Sequence, residues 1–197
     1  MRLNWAERLA VNNPLRVLEQ VIEIRKLKRM ATPKPGFVAL EMGCGRGAGA
    51  RIILREFTPS HIHAQDLDMK MINKAKQYLS PEEKQRCSLF VGDAAHLPVK
   101  TGSLDVVFGF GVLHHIPDWR AAIAEVSRVL RTGGIYFLED LYPSLYRNCV
   151  TKYFLLHPEQ DRFFGGELKE ALATARLPLA ECIEFKRLGL LGVAIKQ

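Results

Sequence analysis

Cysteine is scarce in this chain and never paired in sequence. Cys44, Cys87, Cys149 and Cys182 are widely separated, so no C-x-x-C unit exists to hold zinc or to run thiol–disulfide exchange. No metal site is expected, and reduced thiols in a cytoplasmic protein are. Long apolar runs are missing too. The longest, around residues 188–195, contains two glycines and falls far short of the ~20 residues that cross a bilayer. Arg2, Glu7 and Arg8 interrupt the N-terminal stretch where a signal peptide needs an unbroken apolar segment. No membrane span, secretory precursor or fibrous repeat is expected.

What is present is an ordinary globular composition, 48% apolar and 25% charged over 197 residues. One domain accounts for that length, and a chain of this size buries roughly 70% of its unfolded surface without a disulfide or metal staple. The net charge of +7 is unevenly placed. Residues 1–35 carry eight Lys/Arg against three Glu, leaving 20 basic against 18 acidic residues in 36–197. The excess therefore sits on an N-terminal arm. Asn13, Pro14, Leu15, Leu18 and Ile22 give that arm a helical pattern, and Thr32–Gly36 ends it. Residues 1–35 are expected to form a helical arm or lid, and 36–197 the main domain.

Strand and helix patterns then alternate. Strands are predicted at Phe37–Leu40, around Ile62 and Ala64, and at Ser88–Val91, Leu104–Phe108 and Ile135–Leu138. Helices are predicted at Ala48–Phe57, at Met69–Leu79 with Asp68 as its cap, and at Asp118–Arg131, ended by Gly133-Gly134. A polar stretch, Tyr142–Gly166, leads to a helix near Glu167–Ala175. Two close apolar runs follow, Ala180–Lys186 and Leu190–Lys196, too near each other for a crossover helix. The expected fold is α/β: a doubly wound, mostly parallel seven-stranded sheet with helices on both faces and a C-terminal antiparallel hairpin.

Glu41-Met42-Gly43-Cys44-Gly45-Arg46-Gly47 lies between the first strand and the first helix of this alternation. Glycines there allow a tight turn and close approach of a ligand, at the strand ends where open α/β sheets bind nucleoside-type ligands. Gly43, Gly45 and Ala48 also fit a relaxed dinucleotide fingerprint. Favouring S-adenosylmethionine instead are Glu41 two positions before the first glycine, the second acidic signal Gly92-Asp93-Ala94, and the terminal hairpin.

With Asp66 ending the second strand, Asp105-Val106-Val107 leading to Leu113-His114-His115-Ile116-Pro117-Asp118, and Val129–Gly134, these motifs resemble those of class I S-adenosylmethionine-dependent methyltransferases. The resemblance is to the small-molecule subgroup with a type 11 methyltransferase domain, strong over residues 37–140 and weaker in the tail. It implies S-adenosylmethionine as cofactor, with Glu41, Gly43, Gly45, Asp66, Leu67, Asp93, Ala94 and Gly109 around it. Asp66 follows Gly47 by 19 residues, near the ~20-residue offset of a ribose-binding carboxylate. Asp93 resembles the adenine reader with the Ala94 N–H, Glu41 the support of the methionine end, and the Gly109 carbonyl an acceptor for the methionine amine. Asp66 can also be read as a cap and Asp93 as a turn residue. Asp68 stands where serine is common in the family, and Phe110-Gly111 replaces a polar pair.

Methyl transfer from a sulfonium needs alignment and dryness before acid–base help. His115, and secondarily His114, are candidates to face the acceptor as proton-transfer groups; packing is the plainer reading of both. The family's acceptor pocket would draw on Trp5, on His114–Trp119 and on Glu139–Gly166. The last is rich in aromatics: Tyr142, Tyr146, Tyr153, Phe154, Phe163 and Phe164. A small-molecule acceptor is expected. Nucleic acid is disfavoured as a partner, because no N/D-P-P-aromatic motif follows the fourth strand and the body is nearly neutral. Peripheral membrane contact through the basic arm stays open, as do methylation of RNA or protein and a non-enzymatic S-adenosylmethionine-binding role.

Overall fold

A computed structural model describes residues 14–146, 162–185 and 187–197. The N-terminal helix α1 (Pro14–Met30) precedes β1 (Val38–Met42), α2 (Ala48–Glu56), β2 (His61–Asp66), α3 (Met69–Tyr78), α4 (Pro81–Gln85) and β3 (Cys87–Val91). Then come β4 (Leu104–Phe110), a 3-10 turn (Leu113–His115), α5 (Trp119–Val129), β5 (Leu130–Leu141) and α6 (Pro143–Tyr146). The chain ends with α7 (Gly165–Thr174), β6 (Leu179–Phe185) and β7 (Gly189–Ile195).

The seven strands form one sheet in the order β3-β2-β1-β4-β5-β7-β6. The first five pair in parallel, whereas β7 pairs antiparallel with both β5 and β6. The expected architecture is therefore the observed one. The chain winds outward from β1 to β3, then crosses to β4 on the other side of β1. That reversal opens a crevice beyond the carboxyl ends of β1 and β4, where a doubly wound sheet takes its ligand.

Alternation along the strands divides the core by face. Leu40, Met42, Val107, Tyr136 and Leu138 pack with Trp119 and Val126 of α5 and Leu168 and Leu172 of α7. Ala39, Ile62, Val106, Phe108 and Phe137 pack with Ile24 and Leu27 of α1, Ile53 of α2 and Ile72 of α3. Phe108 and Phe137 stack at 5.0 Å, and Phe57 tilts against both. Side chains start the shorter helices. Asp68 accepts from the Lys70 N–H at 2.9 Å and Asp118 from the Ala121 N–H at 2.9 Å, while Ser80 and Glu83 close a capping box behind Pro81.

Four local expectations are corrected. β1 runs on to Met42, so Glu41 is a buried strand residue rather than the start of a loop. Helix α5 stops at Val129, because Leu130 is already extended and pairs with Leu104. Gly133-Gly134 consequently lies inside β5, where the register jumps and the two glycines exchange backbone bonds with Lys196. Pro81–Gln85 forms the extra helix α4, with Ser80 as its N-cap. The polar stretch after β5 opens with the turn of α6.

Helix α1 is tied to the strand ends by charge as well as by its apolar face. Arg16 Nη2 donates to Glu139 Oε2 at 2.9 Å and Nη1 to Glu23 at 3.0 Å, with the Glu139 side chain only 7% exposed. Burial pushes the Glu139 carboxyl up to about 8, although Arg16 opposes the shift. Removing one partner of a buried pair costs roughly 3–5 kcal/mol; Arg16 is partly exposed, so Arg16→Met should destabilise by about 2 kcal/mol at pH 9. Adding Glu139→Gln should recover most of that. Urea midpoints for the two variants check it, and equal midpoints would remove the ion pair from the account.

Candidate functional site

The site is built where β1, β2 and β4 end. Three left-handed glycines, Gly43, Gly45 and Gly47, carry the chain from β1 into α2. At Gly43 a side chain is excluded twice, by φ +66° and by Val112 Cγ2, which would lie 2.6 Å from an added Cβ. The first helical turn of α2 has no cap from Gly47. Glu41 lies beneath that turn: an added Cβ on Gly49 would sit 1.9 Å from its Oε1, and the Ala50 backbone favours its charged form. The other oxygen, Oε2, is buried with no hydrogen-bond partner. Burial, reinforced by the Asp66 charge, pushes Glu41 up to about 8.

Asp66 fastens the loop from the neighbouring strand. Its Oδ2 accepts from the Gly45 N–H at 2.9 Å and its Oδ1 from the Asp68 N–H at 2.8 Å. Burial raises its pKa, and these backbone bonds hold the rise back. Gln65 completes the tie: its backbone oxygen accepts from Cys44 N–H at 2.8 Å, its Oε1 from Gly43 N–H at 3.3 Å, and its Nε2 donates to the Gly92 oxygen. One buried amide thus couples the ends of β1, β2 and β3. Gln65 was not among the sequence candidates; an amide directly before Asp66 at the end of β2 was its signal.

Glu41, Gly43, Gly45 and Asp66 are therefore one connected unit. Leu67, 41% exposed, opens to solvent next to it. Asp93 lies at the next strand end, where its Oδ1 caps its own turn through the Ala95 N–H at 2.9 Å, while Ala94 is buried. Gly109 lies in β4, paired with Met42 and Leu138.

Gly109 faces Tyr136. The buried Tyr136 hydroxyl has no partner, and an added Cβ at 109 would lie 2.8 Å from it. Gly109→Ala should cost about 1–3 kcal/mol by overpacking, and Tyr136→Phe in the same chain should restore most of the loss. A double-mutant cycle of thermal unfolding measures the coupling; additive effects would sink this account.

Beyond β4 the 3-10 turn brings the two histidines side by side, their rings 4.1 Å apart. His114 is buried and its Nδ1 lies 2.6 Å from Asp140 Oδ1; the half-buried His115 donates its backbone N–H to Val112 O at 3.1 Å. Asp140, Glu139 and Arg16 are functional-site neighbours that pattern reading did not single out. Two carboxylates ending an apolar strand were the available sign. Of the aromatics proposed for the acceptor pocket, Tyr142 and Phe163 are fully buried, and Phe163 packs on Trp119 at 4.7 Å. Trp5, Tyr153 and Phe154 lie outside the described residues, as do Cys149 and the side chain of Tyr146.

A reversal of strand order beside a glycine loop held by an acidic strand end, closed by an antiparallel hairpin, defines the class I S-adenosylmethionine-dependent methyltransferase fold. Residues 40–138 match the family model described as a methyltransferase domain, and the chain belongs to that family. S-adenosylmethionine is the methyl donor that membership carries.

Among curated relatives, the chain is 31% identical over 147 residues to phosphoethanolamine N-methyltransferase 2 of Caenorhabditis elegans, covering 75% of this chain and 33% of that one. It is 32% identical over 152 residues to demethylmenaquinone methyltransferase of Lactococcus lactis subsp. lactis, covering 74% and 60%. The chain thus spans between a third and three fifths of these relatives' length. A SAM-dependent methyltransferase from Aquifex aeolicus shares the fold over 100% of both chains, with a TM-score of 0.79 and 16% identity.

Proposed function

We propose that this chain transfers a methyl group from S-adenosylmethionine to a small-molecule acceptor. The observation that carries the reading is the Asp66 carboxylate anchored on the Gly45 N–H, which sets an acidic strand end and a glycine cradle against one another. The residues present fit the donor. Gly43 turns the loop with a left-handed φ where a side chain would meet Val112, and Glu41 keeps a buried carboxyl oxygen without a partner beneath the loop. Asp66 would hold the ribose hydroxyls, since a carboxylate accepts from both. Asp93 and Ala94 would hold the adenine, Leu67 would cover it, and Glu41, Gly43, Gly45 and the Gly109 carbonyl would hold the methionine end.

S-adenosylmethionine supplies a methyl carbon already activated by positive sulfur, and the carbon–sulfur electron pair stays with sulfur when the methyl leaves. This chain's part is to hold the acceptor in line and keep water out, which supplies roughly 7–11 kcal/mol of a barrier. The acceptor would lie over the ends of β4 and β5, beside helix α1 of the arm; the Arg16–Glu139 contact supports that arrangement. His114 and His115 are the candidate proton-transfer groups.

A small molecule is favoured over RNA because half of the arm's six described basic residues are paired with acidic groups of the chain. Arg16 meets Glu139 and Glu23, and Arg25 and Lys28 meet Glu56. The exposed Lys26 and Arg29 leave peripheral membrane contact as the arm's further use. A cytoplasmic setting accords with Cys44 and Cys87, which are buried and free; among the described residues no helix is long and apolar enough to cross a membrane.

Calorimetric titration with S-adenosylhomocysteine, run beside NADH, tests the reading. Micromolar binding of the first alone is expected. Binding of NADH instead would overturn the reaction class.

A further inference from the structure

We propose that His61 and His63 together form a binding site for a zinc ion on one face of β2. The site lies at the amino end of that strand, away from the crevice at the carboxyl ends, and does not depend on the methyl-transfer reading.

Strand geometry brings the pair together. Side chains two apart on a strand share a face, and the two histidines take the first and third positions of β2. Register sets His61 beside Val38 and His63 beside Leu40 of β1. On the other side His63 lies opposite Ser88 of β3. Both histidines remain partly open to solvent, and Ser88 is exposed.

The rings stand at chelating distance. Their centroids are 5.0 Å apart and their planes meet at 65°. Two imidazole nitrogens bound to one zinc ion at ~2.0–2.1 Å, with a tetrahedral angle between them, put the ring centres about 5 Å apart. Closing the chelate therefore takes rotation about side-chain bonds and no movement of the strand.

Ser88 selects the ligating nitrogen of His61. The Nε2 of that ring lies 2.8 Å from Ser88 Oγ. When Nε2–H donates to the hydroxyl oxygen, the lone pair of the neutral ring is on Nδ1. A metal-bound histidine is oriented by this kind of bond from its other nitrogen. Burial lowers the pKa of His63, and His61 lowers it further. Both effects favour the neutral ring, which is the form that binds a metal.

The choice of ion follows from the ligands. Imidazole nitrogen suits zinc, whereas magnesium takes oxygen. Among the described residues no group of three or more His, Cys, Asp or Glu could hold a metal ion. Zinc on this pair thus has two protein ligands, with water in its remaining positions. Such a site is open and exchanges its ion with solution, unlike a structural site closed by four ligands.

The test is calorimetric titration of the whole chain with zinc chloride at pH 7.5, in a buffer that does not bind metals. The exposed Cys182 is first blocked with N-ethylmaleimide, which removes the competing thiol. Micromolar binding is expected in the wild type, with loss of that binding in His61→Gln and in His63→Gln and no binding of magnesium. A folded variant of either kind that keeps the wild-type isotherm would overturn the proposal. So would a wild type that takes up zinc only at millimolar concentration, which is adventitious contact. Should the half-buried His63→Gln not fold, His61→Gln decides. A ¹⁵N spectrum of histidine-labelled protein gives a second readout: the first equivalent of zinc should move the His61 and His63 signals together. Movement of other histidines with these two unchanged would place the ion elsewhere and sink the proposal.

Discussion

Asp66→Ala should weaken S-adenosylhomocysteine binding by at least about 100-fold in calorimetric titration. Two ribose hydroxyls donating to one carboxylate are charge-assisted bonds of roughly 1.5–3 kcal/mol each, and each 1.4 kcal/mol is about tenfold in affinity. The substitution also frees the Gly45 N–H and the Asp68 N–H, which Asp66 now holds at 2.9 and 2.8 Å, so the cradle loosens as the ribose contact is lost. Adenosine alone separates the two effects. If the carboxylate reads the ribose, adenosine binding falls by a similar factor. If Asp66 only braces the methionine side of the loop, adenosine binding is nearly unchanged while S-adenosylhomocysteine binding falls, and the ribose assignment is wrong.

Asp66 also shows how far the chain could be read without coordinates. Its offset from the glycine loop and its place after the alternating Ile62 and Ala64 are local facts, and they located it correctly at the end of β2. The doubly wound, mostly parallel sheet and its terminal hairpin followed from the same kind of pattern, because alternating strands and helices have few ways to wind and the closely spaced last two runs can only pair antiparallel. What escaped was nonlocal. Nothing near Glu41 in sequence says that it is buried beneath the first turn of α2, since the acidic signal reads as a loop residue until β1 is seen to extend through Met42. His114 and Asp140 are 26 residues apart and meet only because β4 and β5 are adjacent and parallel. Arg16 and Glu139, 123 residues apart, meet only because α1 folds back over the strand ends. Gln65 was overlooked because its three bonds go to backbone groups of other segments, which no side-chain motif records.

The other large effect expected is on the pH dependence of stability, through Glu41→Gln. Glu41 is 3% exposed, and its carboxyl is raised from 4.5 to about 8, first by burial and then by Asp66. A carboxyl raised on folding binds its proton more tightly in the folded chain than in the unfolded one. Its contribution is therefore fully present below about pH 4.5, where both states are protonated, and is lost as pH climbs toward 8. At ~1.36 kcal/mol per unit, the loss is on the order of 3–5 kcal/mol. Glutamine copies the neutral acid: it fills the same space beneath Gly49, and it has no proton to lose. Urea unfolding at pH 5, 7 and 9 should show the wild type weakening relative to Glu41→Gln as pH rises, with the curves closest at pH 5. Taking the difference between the two proteins cancels the other titrating groups, Glu139 included. A constant offset across the three pH values would mean that Glu41 is ionised in the folded chain throughout, with its charge met by the helix end above it rather than suppressed by burial.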